Sequence, residues 1–231
     1  MIDFKKILQE GCTISSSGTT GTPKQIYRSP QNLEACNHVA IEDQLITSKS
    51  KIYTCTRMTH AGGLLLQSLP AYTLGCDILI TKFNAFSFIK DFEMYTHTFL
   101  PPAMCEAVIK TKNFKDANFN GKIIAMGSDP IPWDHIVKFV SKGAIVIANW
   151  GMSEVGPCAI NTTFGTVKYV EDHPKELPVM GENFNCDYKI VDNELYVKGD
   201  ICIHDDWFAT GDKAYLDRTS FPILYYKGRL Q

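Results

Sequence analysis

The sequence predicts an α/β protein: a mostly parallel sheet with helices on both faces, followed by a small β-rich subdomain. Three observations carry this. Short, continuously apolar runs alternate with helix-length segments between residues 51 and 149, which is how strands buried on both faces read. Past residue 178 the text changes to short strand-like runs separated by turn residues. A loop rich in glycine and hydroxyls near the N-terminus leads toward a helix start marked by Ser29-Pro30, a good N-cap and first-turn pair.

The elements follow in order. After Ser29-Pro30, Leu33, Cys36, Val39 and Ala40 recur at helical spacing, with Leu45 and Ile46 beyond them, so the loop is expected to precede a helix. Strands are predicted over 51–55, 77–81, 96–100, 122–126 and 144–149, and helices over 61–74, 85–92, 103–110 and 132–141. The strand over 96–100 stops at Pro101-Pro102, which cannot donate to a ladder. In the C-terminal part the strand-like runs are 186–191, 194–198, 201–203 and 221–226. The polar, proline-containing stretch 171–178 divides the chain into a core of residues 1–170, carrying the loop, and a β-rich subdomain of residues 171–231.

Composition narrows the function classes. With 231 residues and 45% hydrophobic content the chain can build a real core. A net charge of −2 provides no global basic field, so nucleic acid is not an expected partner and any grip on phosphate must be local. The eight cysteines show neither Cys-x-x-Cys nor zinc spacing, which fits free thiols in a reducing cytoplasm. The N-terminus lacks a signal peptide's apolar stretch, and the most apolar segment, 61–74, is interrupted by Gln67, Ser68 and Pro70, so no membrane span is expected.

Residues 16–24 read Ser-Ser-Gly-Thr-Thr-Gly-Thr-Pro-Lys. Gly18 and Gly21 let the backbone approach oxygen atoms closely. Main-chain N–H groups, the hydroxyls of Ser16, Ser17, Thr19 and Thr20, and the Lys24 ammonium offer donors to a polyphosphate, which makes ATP the first ligand expected. The loop is not a Walker A motif, because Pro23 precedes the lysine and Gln25 follows it. The same composition also suits a flexible linker, although a linker has no use for Pro-Lys at a fixed offset. At the end of strand 144–149 stand Asn149, Trp150, Gly151, Met152, Ser153 and Glu154, at a strand terminus where ligands of open α/β sheets bind. An indole can stack on a purine, glycine allows close approach, Ser153 can donate to phosphate, and Glu154 can hold Mg²⁺; a packed Trp beside a solvated Glu reads equally well. Asp212 in Thr210-Gly211-Asp212 could accept from ribose hydroxyls, and taken alone the tripeptide is a turn.

In their order and spacing these three segments resemble the adenylate-forming superfamily of acyl-CoA synthetases, luciferases and non-ribosomal-peptide adenylation domains. Residues 16–24 are similar to its phosphate loop, 150–154 to its Tyr-Gly-x-Thr-Glu segment with Trp for Tyr and Ser for Thr, and 208–212 to its Thr-Gly-Asp segment. Weaker matches agree: Met58-Thr59-His60-Ala61-Gly62-Gly63 is similar to the segment lining the acyl pocket, Gly127-Ser128 stands where the family has Gly-Gly-Ala beside adenine, and Gly228-Arg229 matches its ribose-contacting Gly-Arg. The resemblance covers residues 12–229. It implies that a small-molecule carboxylic acid attacks the α-phosphorus of Mg-ATP, giving an acyl-adenylate and pyrophosphate, with coenzyme A as one candidate acceptor. Lys24, Thr19 and Glu154 with its metal would then act by positioning and charge. His60 would gate the acid, although a histidine opening an apolar helix is often only a satisfied cap or core residue.

The chain departs from the family in length. Family members carry an N-terminal subdomain before the phosphate loop and a C-terminal lid after the Gly-Arg, and this sequence shows neither, starting at Met1 and stopping two residues past Arg229. The expectation is a self-contained shortened member that dimerises, takes its lid from a partner, or leaves its acid site open. A non-catalytic module binding ATP or AMP is the alternative reading.

Overall fold

The computed structural model describes residues 2–16, 24–219 and 222–230. A short helix α1 (Phe4–Glu10), N-capped by Asp3, leads into an antiparallel hairpin of β1 (Cys12–Ser15) and β2 (Gln25–Arg28). Helix α2 (Pro30–Asp43) follows, and the Ser29 hydroxyl accepts from Asn32 N at its N-terminus with Pro30 in the first turn, where its missing N–H costs nothing. Segment 16–24 thus links β1 to β2 and precedes a helix as expected, with the four residues of β2 standing between the two.

The central sheet has seven strands. β3 (Lys51–Thr54), β4 (Asp77–Ile80), β5 (His97–Leu100), β6 (Ile123–Gly127) and β7 (Ile145–Met152) are parallel to their neighbours; β8 (Gly156–Phe164) and the two-residue β10 (Asn183–Phe184) add antiparallel, giving the order β10-β8-β7-β6-β5-β3-β4. Period-two alternation builds two cores. Leu100, Ile124, Met126, Val146 and Ala148 face α5 (Phe88–Phe92), α6 (Pro102–Ile109) and α7 (Trp133–Val140), where Phe139 stacks on Phe119 at 5.4 Å. Phe99, Ala125 and Ile147 face the opposite way, onto Ala40 of α2 and Leu66. Helices on both faces of a mixed, mostly parallel sheet are what the apolar runs predicted.

The predicted helix 61–74 is broken into α3 (Ala61–Gly63), a buried π-helical turn Leu64–Ser68 and α4 (Leu69–Thr73). Pro70 in the first turn of α4 has no N–H to donate, and the ladder re-registers before it. Gln67 there donates to Gln44 Oε1 at 2.6 Å, and Gln44 Nε2 in turn reaches the Leu66 carbonyl at 2.7 Å. The helix expected over 85–92 is shorter than predicted, beginning at Phe88.

After α8 (Val167–Glu171), β9 (Val179–Gly181), β11 (Asp187–Val191), β12 (Glu194–Lys198), β13 (Phe208–Asp217) and β14 (Ile223–Arg229) form a five-stranded antiparallel sheet in the order β11-β12-β13-β14-β9. One expectation fails here: residues 201–203 are turn, not strand, and of the two readings of Thr210-Gly211-Asp212 the simple turn is excluded, since it lies inside the ten-residue β13. Gly211 takes a left-handed φ of 74° within that strand, and a register shift follows at Lys213/Ala214.

Candidate active site

The loop stem comes first. Ser16 N donates to the Lys24 carbonyl at 3.0 Å and Ser16 Oγ accepts from Lys24 N at 3.3 Å, so the two ends of the loop are tied. Ser17, Gly18, Thr19, Thr20 and Gly21 lie outside the described residues. Ser15 N donates to Thr59 O at 2.8 Å and His60 Nδ1 pairs with Ser15 O at 2.8 Å, which seats the His60 segment against the stem. His60 holds the N-cap position of α3 without a side-chain capping bond.

At the carboxyl ends of β6 and β7 the backbones approach closely. A Cβ on Gly127 would stand 2.3 Å from the Asn149 carbonyl, and one on Gly151 2.3 Å from the Gly156 carbonyl, so both positions require glycine. Ser128 is exposed with a left-handed φ of 74°. Asn149 Oδ1 accepts from Cys158 N at 2.8 Å, bracing β7 against β8. The predicted strand end at Asn149 is therefore wrong in one respect: β7 runs on to Met152, and residues 153–155 are a turn into antiparallel β8.

Asp212 is the meeting point of distant segments. Its carboxylate, on a side chain 7% exposed, accepts from Trp150 Nε1 at 3.0 Å and pairs with Arg229 Nη1 at 2.6 Å. Thr210 holds the strand beneath, with Oγ donating to Leu195 O at 2.7 Å and accepting from Asp212 N at 3.0 Å. In the turn, Glu154 O accepts from Ile203 N at 3.0 Å. Among the described residues no three His, Cys, Asp or Glu side chains gather to hold a metal. A lone carboxylate at Glu154 suits Mg²⁺, which binds through one or two carboxylates plus substrate phosphates, and does not suit a caged metal.

Gly127 and Asn149, the loop stem and His60, and Trp150, Asp212 and Arg229 are thus brought into contact. No hydrogen bond among the described residues ties the side chains of Lys24 or Ser128 to the others. Sequence reasoning missed Arg28, which donates to Ser153 O, and Ile203; an arginine in a four-residue strand carries no signal of burial. A cavity of about 780 Å³ between α2 and the 198–205 turn, lined by Asn32, His38, Asp200 and His204 among others, lies apart from the predicted residues.

The family model for AMP-binding enzymes matches residues 12–211. The chain belongs to the AMP-binding enzymes. Among curated relatives, the indoleacetate–CoA ligase of Aromatoleum aromaticum is 27% identical over 93% of this chain and 46% of its own length, and the 2-succinylbenzoate–CoA ligase of Enterococcus faecalis 26% identical over 93% and 48%. The chain spans about half the length of the curated relatives it matches. The o-succinylbenzoate coenzyme A synthetase of Bacillus subtilis, solved in complex with AMP, superposes with a TM-score of 0.76 at 20% identity, covering 94% of this chain and 49% of that one. This AMP-binding enzyme therefore shares the fold of that synthetase. Among its described residues no helix is long and apolar enough to cross a membrane.

Proposed function

We propose that the protein activates a carboxylic acid with Mg-ATP: a carboxylate oxygen bonds to the α-phosphorus, the bond to the β-phosphate oxygen breaks, and acyl-adenylate and pyrophosphate form. The observation that carries this reading is the convergence of Trp150, Asp212 and Arg229, from three separate segments, on one carboxylate beside the Asn149–Glu154 strand end. In this reading Asp212 and Arg229 receive the ribose, while Trp150, Asn149, Gly151, Met152, Gly127 and Ser128 wall the adenine side. Ser16, Ser17, Gly18, Thr20 and Gly21 cradle phosphates; Lys24 neutralises charge as pyrophosphate departs and the Thr19 hydroxyl donates a hydrogen bond to it; Ser153 donates to a phosphate oxygen. Glu154 would hold Mg²⁺, which draws charge from the phosphates. His60, seated on the loop stem, controls entry of the acid. Residues 1–170 act as the nucleotide-binding core and 171–231 as the β-rich subdomain, although β10, from beyond that division, pairs with the larger sheet.

The test is purified protein with Mg-ATP, hydroxylamine and a panel of acids that includes indoleacetate and 2-succinylbenzoate, with and without coenzyme A. Acid-dependent pyrophosphate and hydroxamate are expected, and Lys24→Ala should abolish both. Activity untouched by Lys24→Ala would overturn the assignment. Silence with every acid, alongside calorimetric ATP binding, would replace the enzyme by a nucleotide-binding module.

A further inference from the structure

Arg28, the last residue of β2, is 0% exposed and has no carboxylate partner among the described residues. Its guanidinium is met by neutral groups alone. Nη1 donates to Asn32 Oδ1 and, at 3.0 Å, to Ile201 O, and lies 3.2 Å from Cys36 Sγ; Nη2 donates to Ser153 O at 2.7 Å; Nε has no partner. Burial pushes the Cys36 thiol up to about 11, so it offers no counter-charge at neutral pH. A buried ion without a counter-ion costs several kcal/mol, and what this one provides is connection rather than stability.

The connection runs to Glu154. The peptide preceding Glu154 is held by Arg28 through the Ser153 carbonyl, and the peptide following it by Ile203 N through the Glu154 carbonyl. Both peptide planes that set the φ and ψ of Glu154 are therefore pinned, one of them by the strand that descends from the phosphate loop. The 200–203 turn on the other side is fastened to the same place, because Asn32 Nδ2 donates to Asp200 O at 2.7 Å and to Cys202 O at 3.0 Å. We infer that Arg28 is a positioning residue for Glu154, coupling the stem of the phosphate loop to the turn that carries the carboxylate. The inference rests on the proposed metal-holding role of Glu154.

The experiment compares Arg28→Met, which keeps the length and loses the donors, with Arg28→Lys, which restores one donor. The readouts are half-saturation by Mg²⁺, KM for ATP and KM for the acid in the pyrophosphate assay, with folded fraction measured by circular dichroism. Arg28→Met should raise Mg²⁺ half-saturation about ten-fold or more, as loss of an outer hydrogen-bonding partner does at metal sites, and leave the acid KM within about two-fold; Arg28→Lys should recover part of the loss. Unchanged Mg²⁺ dependence in folded Arg28→Met overturns the inference. Should Arg28→Met fail to fold, amide exchange in Arg28→Lys decides: faster exchange at Val155 and Ile203 supports the coupling, and wild-type exchange there overturns it. Glu154→Gln separates the two claims. If it leaves Mg²⁺ dependence untouched, the metal role of Glu154 fails; if it shifts that dependence while Arg28→Met does not, only the positioning role fails.

Discussion

Arg229→Ala removes one of the two side-chain donors to the Asp212 carboxylate. A hydrogen bond to a charged group contributes about 1.5–3 kcal/mol when desolvated. Asp212 meets that condition, its side chain being 7% exposed, but the Arg229 side chain is 41% exposed and partly screened by water. The lower half of the range applies, about 1.5–2 kcal/mol. Trp150 Nε1 remains on the second oxygen, so the carboxylate is left half-satisfied rather than bare. For a chain of this size each kcal/mol moves Tm by about 2–4 °C, which places the Arg229→Ala transition about 3–8 °C below wild type. Thermal unfolding of wild type, Arg229→Ala, Asp212→Asn and the double variant forms a cycle, in which the double variant should be scarcely less stable than either single one. Strict additivity of the two losses, or a Tm change under about 1 °C in Arg229→Ala, would refute a stabilising role for the Asp212–Arg229 pair.

Three further outcomes are expected. Phe139→Ala, which empties the centre of the stack with Phe119 and Phe114, should cost about 3–5 kcal/mol in urea unfolding with little change in nucleotide affinity of the folded fraction. Gly127→Ala forces a methyl group against the Asn149 carbonyl and should cost about 1–3 kcal/mol while raising the calorimetric Kd for ATP, because the clash sits at the strand ends. Burial holds the His97 imidazole below its ordinary pKa, so below about pH 6.5 the unfolded chain takes up a proton that the folded chain resists. Stability from this group is therefore complete above that pH and falls as pH drops, by at most about 1.4 kcal/mol per unit, and His97→Gln should flatten the urea-midpoint profile between pH 7 and 5.5.

The parallel part of the fold was legible because strands covered on both faces are uniformly apolar: Ile123–Gly127 is an apolar run too short for a helix and bounded by polar residues. β8 was not, since Gly-Pro-Cys-Ala-Ile-Asn-Thr-Thr-Phe mixes turn residues and amides with apolar ones, and its polar groups are satisfied by long-range partners such as Asp43, which accepts from Asn161 at 2.6 Å. β1 and β2 are four-residue strands on either side of a glycine-rich loop, too short for periodicity to register. Thr210-Gly211-Asp212 has turn chemistry, and tertiary pairing with β12 and β14 overrode it. Trp150 and Asp212 stand out one at a time for their chemistry at a strand end and after a glycine, and Arg229 only through the family resemblance. That they share one carboxylate depends on pairings across many intervening residues, which local pattern does not encode. Arg28 had no signal at all, because a buried cation without an acidic partner runs against expectation.

The indole of Trp150 gives the protein its own optical probe. Of three tryptophans, Trp133 is buried with its N–H on Leu177 O and Trp207 lies under the Lys189 ammonium at 4.4 Å. Trp150 alone among them has its N–H on Asp212, the carboxylate proposed to receive the ribose. If a nucleotide binds Asp212 as proposed, the charge and hydrogen bonding around the Trp150 indole change, and the shift in tryptophan emission then reports occupancy in a solution containing nothing but protein and ligand.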